Sequence, residues 1–174
     1  AVINYAKQYR TDTTLSSSEE KEKKKNIRQM VYPHLRTYTS DTLENGAWSF
    51  LQETLSLNKA DFILIDALST KFFGESDAAV LFIKDKSGEL RYIVKAFNDV
   101  NTETSRYLYE ISSIDLIKEL KLPGVLPVDQ LAFGLCREND TEWGMLLENA
   151  AKGKRLDQYI TDIKNADNVS ENRK

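Results

Sequence analysis

The sequence predicts an α+β domain: a five-stranded antiparallel sheet with one packed helix, preceded by a helical extension. Three observations point there. Three short runs of strand character precede one helical segment, and two more follow it. Turn chemistry around Gly88 joins two of those runs, which suits an antiparallel hairpin. The first 57 residues carry helix signals instead. The chain therefore divides into a helical extension over 1–57, a lobe over 58–160, and a tail over 161–174 that begins another helix and then turns polar.

The elements follow in order. Ser16 with Glu19, or Ser17 with Glu20, fits a capping box, in which each partner satisfies a backbone N–H at the helix start. Glu19/Lys23 and Glu20/Lys24 are i,i+4 pairs in the favourable order. Ile27, Met30 and Val31 supply a short apolar stripe, and Pro33 marks the end of this helix. A second helix is expected from about Glu44 to Leu57, with Trp48, Leu51 and Leu55 on one side. From Asp61 the texture changes. Asp61–Leu68, Ala79–Ile83 and Leu90–Phe97 read as three strands. Glu103–Lys121 reads as a helix stopped by Leu122-Pro123-Gly124. Val125–Cys136 and Trp143–Glu148 read as two further strands with a polar turn between them.

Composition excludes several functions. The net charge of −3 gives no general electrostatic case for nucleic acid or an anionic membrane. The apolar runs are too short to span a bilayer. One cysteine, Cys136, excludes an internal disulfide framework and a cysteine-built zinc site. One histidine, His34, excludes a histidine pair for metal binding. The lysine run at 23–25 reads as a solvated helical face, because glutamates interleave it.

Two charged residues interrupt apolar surfaces. Lys95 sits inside Ile93-Val94-Lys95-Ala96-Phe97, so its ammonium either lies on a buried face or reaches a cleft. On the following helix, Ile114 lies about 40° from Glu110 and Ile117 about 20°. A carboxylate on that apolar face needs a counter-charge, and Lys95 supplies one. Such a pair either holds Lys95 against nucleotide phosphates or is a structural salt bridge. The loop between the first two strands, Phe73–Val80, holds Gly74 and Ser76, small residues that let backbone N–H groups approach phosphates. The last strand runs through Glu148 into Asn149 and Ala150, a small-residue link to the next helix.

With these residues in this order, positions 66–160 resemble the small lobe of the protein-kinase-like superfamily. The flavour is closest to the aminoglycoside-phosphotransferase and choline-kinase-like branch, or to divergent bacterial kinase-like proteins. The resemblance implies that Lys95 contacts the α- and β-phosphates of ATP and that Glu110 is its helix partner. It implies Gly74 and Ser76 in the phosphate loop, Val80 against adenine, and Glu148, Asn149 and Ala150 as a hinge pairing with the adenine edge. The cofactor expected is ATP with Mg²⁺. There are departures. The loop has one glycine and carries acidic Glu75 and Asp77. Ile93 stands two residues before Lys95 where alanine is usual in protein kinases. No catalytic loop with its base and no Asp-Phe-Gly metal site occurs in the sequence.

The resemblance implies the nucleotide-binding lobe of an ATP-dependent phosphotransferase whose catalytic lobe is not present in this chain. This chain alone is expected to be inactive and to need that missing polypeptide, or another protein, as its partner. The alternative is a degenerate lobe that binds a protein and does no chemistry. A third reading is a structural domain in which the pair is only a salt bridge. If the lobe is open, Val80, Ile93, Met145 and Leu147 are expected on the uncovered face.

Overall fold

The computed structural model describes residues 2–10, 13–69, 78–102, 105–124 and 128–151. The fold is α+β, built on one six-stranded mixed sheet. The elements are helices α1 (Val2–Ala6), α2 (Ser17–Val31), α3 (Leu43–Leu55) and α4 (Arg106–Leu120) and strands β1 (Thr37–Ser40), β2 (Phe62–Ser69), β3 (Ala78–Asp85), β4 (Leu90–Phe97), β5 (Gln130–Glu138) and β6 (Thr141–Asn149), with α3 and α4 packed directly on the sheet. The strand order is β1-β5-β6-β4-β3-β2.

Local chemistry explains the elements that were read from sequence. Ser16 and Glu19 form the expected reciprocal capping box at the start of α2. Thr42 caps α3 by accepting from the Asn45 N–H. Gly88 takes φ +84° in the β3–β4 turn, where Asp85 accepts from the N–H groups of Ser87 and Glu89. The start of α4 is tied down from outside the helix. Asp99 accepts from the Arg106 N–H, and the Tyr9 hydroxyl accepts from the Ser105 N–H.

Two expectations need correction. The sheet has six strands rather than five, and it is not wholly antiparallel: β1 pairs with β5 in parallel, Thr37 opposite Leu135. The segment 1–57 is accordingly not wholly helical, since it contributes this edge strand. The physical reason is that β1 has only four residues and finds its hydrogen-bond partners far along the chain. The Leu135 N–H donates to the Arg36 carbonyl across that junction. The other five strands pair antiparallel throughout.

The sheet has two faces with different covers. On one face Tyr38, Leu81, Ile83, Val94, Ala96, Cys136, Met145 and Leu147 pack against Ala47, Trp48, Phe50 and Leu51 of α3. On the other, Phe97, Leu135 and Leu146 pack against α4, whose outer side is covered by α1 and the turn Lys7–Tyr9, with α2 packed on these. Tyr107 of α4 is fully buried, and its hydroxyl donates to the carbonyls of Gly134 and Met145. The glycine at 144 is required there, because a Cβ would come within 2.5 Å of the Tyr107 ring. No described helix is long and apolar enough to cross a membrane.

Candidate functional site

Register decides which side chains meet. In the β4–β6 ladder Lys95 lies opposite Leu146 and Ile93 opposite Glu148. Alternate residues share a face, so Lys95, Ile93, Leu146 and Glu148 point to the side that carries α4. In the β3–β4 ladder Val80 is opposite Lys95 and Phe82 opposite Ile93, which adds both to that face. Beyond the part covered by α4, Val80, Phe82 and Ile93 are only half-buried. They form an apolar strip beside the charged residues.

Lys95 lies at the centre of the site. Its Nζ donates to Glu110 Oε1 at 2.6 Å, joining β4 to α4. The same Nζ lies 3.3 Å from Glu148 Oε2 on β6. Lys95 and Glu110 are about one-third exposed, but the Glu148 side chain is 2% exposed. Glu148 Oε1 is buried and has no hydrogen-bond partner. Burial pulls the Lys95 ammonium down; Glu110 and then Glu148 outweigh it, and its pKa is held above the ordinary lysine value. Burial pushes Glu148 above the ordinary carboxyl value, Lys95 opposes this, and Glu110 adds to it.

The sequence-derived residues separate into groups. Lys95 and Glu110 come together as expected, with Val80 beside them. Gly74 and Ser76 lie outside the described residues. Glu148 takes a different part: its side chain is a second carboxylate on Lys95, rather than simply a hinge position. Asn149 and Ala150 do not join the cluster. Their N–H groups donate to the carbonyls of Asp129 and Arg91, and both residues line a hollow of about 400 Å³ with Arg91, Tyr92 and Asp129. The N–H groups of Asn149 and Ala150 are therefore already engaged within the chain.

The expected open face also needs correction. Val80 and Ile93 are on the half-open side, but Met145 and Leu147 are completely buried on the opposite face under α3. Strand parity explains this, because they alternate with Leu146 and Glu148.

Among the described residues, no group of three or more His, Cys, Asp or Glu side chains could hold a metal ion. Glu110 and Glu148 are both engaged by Lys95, so the described donor set does not by itself fit Mg²⁺. What the cluster can do is present a fixed ammonium, with donor capacity left over, at the edge of an apolar strip. No protein-family model, no curated protein and no solved structure matches this chain.

Proposed function

We propose that this chain is the nucleotide-binding small lobe of an ATP-dependent, kinase-fold phosphotransferase. The carrying observation is the 2.6 Å pair between Lys95 on the third strand of an antiparallel series and Glu110 on the next helix. In this reading Lys95 binds phosphate oxygens and Glu110 fixes its direction. Val80, Phe82 and Ile93 give the base an apolar ceiling on the same face. The base for catalysis and the ligands for Mg²⁺ are assigned to a larger lobe outside this chain. The chain alone is then a binder of ATP without turnover.

A titration of the 174-residue chain with ATP, followed by calorimetry, tests this. Lys95→Met is expected to weaken ATP binding by about tenfold or more, the scale for losing a charge-assisted contact. Equal affinity in a folded Lys95→Met chain would remove the reading, as would ATP turnover by the wild-type chain that survives this substitution.

One observation favours a second reading, a degenerate lobe that binds a protein partner without catalysis. Two carboxylates already occupy the Lys95 ammonium, which has three donors, and give the trio a net charge of −1 when all are ionised. A folded wild-type chain that ignores millimolar ATP would favour this alternative.

A further inference from the structure

We propose that Glu148 is a positioning residue that gates Lys95, and that it takes up a proton when phosphate oxygens bind there. The inference rests on the nucleotide reading and deepens it. Three observations carry it. Glu148 is almost fully buried, at 2% exposure. Its only described partner is Lys95, at 3.3 Å, and its Oε1 has none. It stands on β6, a strand hydrogen-bonded on both sides, so it cannot swing away as a residue on a loop could.

An anion reaching Lys95 meets this carboxylate. A phosphate oxygen within hydrogen-bond range of Nζ lies within a few ångströms of Glu148, and both are negative. Lys95 then divides its charge between three anions. The carboxylate that cannot move and cannot reach water relieves the conflict by binding a solvent proton. Glu110 is less constrained, since it is part-exposed on a helix and can turn to water. The charged groups facing Glu148 among the described residues are Lys95 from β4 and Glu110 from α4. Its register partner on β5, Gln130, does not titrate. Burial and the neighbouring Glu110 already favour the protonated form, so the anion pushes in a direction the site is built to follow.

The consequence is a site that binds nucleotide more tightly as pH falls toward the carboxyl range. Without an anion, Glu148 keeps the Lys95 ammonium ionised and directed. With one, neutral Glu148 can donate its new O–H or stay silent, and Lys95 is released to the phosphates.

The test is ATP binding to the full chain at pH 6 and pH 8, by calorimetry in two buffers of contrasting ionisation heat. Wild-type chain is expected to take up protons from the buffer as ATP binds. ATP's own terminal phosphate titrates in this range, so the same titrations are run on Glu148→Gln. That variant should bind ATP more tightly at pH 8 and lose the extra proton uptake. The wild-type affinity, expressed relative to the variant's, should improve by about tenfold from pH 8 to pH 6, with one proton per decade as the limit. Identical proton uptake in the two proteins, or weaker binding by Glu148→Gln at pH 8, would overturn the gating role. If Glu148→Gln does not fold, the wild-type uptake is compared instead with that of ATP binding to Lys95→Met. An equal number in both overturns the proposal. No ATP binding at either pH overturns the nucleotide reading itself, a different signature from binding without Glu148-linked protons.

Discussion

Two lysines on opposite sides of α4 have nearly the same contacts and very different surroundings. Lys7 Nζ is 2.6 Å from Glu119 and 3.1 Å from Asp115; Lys95 Nζ is 2.6 Å from Glu110 and 3.3 Å from Glu148. Three of these four carboxylates belong to α4. The shortest distances are equal, so distance does not distinguish a surface clamp from a site. The fourth carboxylate does. Glu148 is shut away from water, whereas Glu119 is half-exposed and can exchange its Lys7 contact for solvent, and Asp115 keeps part of its side chain in water. The lesson is that an ion pair gains functional weight from the member that has no alternative partner.

The largest expected effect is on the buried side. Lys95→Met leaves Glu148 enclosed and without its cation, so that it must stay a buried charge or take up a proton, and should cost about 3 kcal/mol in urea denaturation. Adding Glu148→Gln to the same chain should recover more than half of that loss. No recovery in the double variant would mean that Lys95 stabilises the fold by packing rather than by charge.

Gly144→Ala attacks the same region through the backbone. The added methyl would meet the Tyr107 ring at 2.5 Å and Val100 at 2.6 Å. A cost of about 1–3 kcal/mol is expected from overpacking. Because Tyr107 anchors α4 to β5 and β6, Glu110 should move off Lys95 as well. A crystal structure of the variant with the 2.6 Å pair intact would show that α4 is held from its other side, by the N-terminal helices.

Acid and base should separate the two lysine clusters by sign. Glu148 is raised above its ordinary 4.5, so the folded chain holds an extra proton in the window just above 4.5, and stability falls as pH rises through it. Lys95 is raised above 10.5, so its contribution is present below 10.5 and is lost as pH climbs through the folded value. Glu119 is lowered, so its contribution is present above 4.5 and is lost as pH drops through its folded value. Urea midpoints measured across pH 4 to 8 should therefore decline less steeply for Glu148→Gln than for wild type. Parallel profiles would contradict the assigned direction for Glu148. The smallest effect belongs to Lys7→Met, which should leave the midpoint at pH 7 unchanged within error.

Much of this was legible in the sequence, for identifiable reasons. Lys95 and Glu110 were visible because each interrupts an apolar pattern of known period. The cap at Ser16 and the turn at Gly88 follow from local hydrogen bonding, which needs no knowledge of the rest of the chain. β1 was not legible, because four residues carry little periodicity and their partner strand is remote. Glu148 stands out in the sequence by its place at the end of a strand, but its side-chain role is hidden there. The run Gly144-Met145-Leu146-Leu147 is apolar without alternation, so it gives no parity. Only the register, with Leu146 opposite Lys95, tells which residues share the lysine's face. The same ambiguity put Met145 and Leu147 on the wrong side.

The most direct measurement follows the Lys95 side chain itself. Lysine-labelled 174-residue chain is titrated with ATP, and the Lys95 Cε resonance is identified as the one missing from Lys95→Met. The expected result is a saturable shift of Lys95 on adding ATP, larger than that of Lys7, which pairs with Asp115 and Glu119 on the far side of α4. A Lys95 resonance that stays fixed at saturating ATP, while other lysines move, would contradict the assignment of this cluster as the phosphate-binding site.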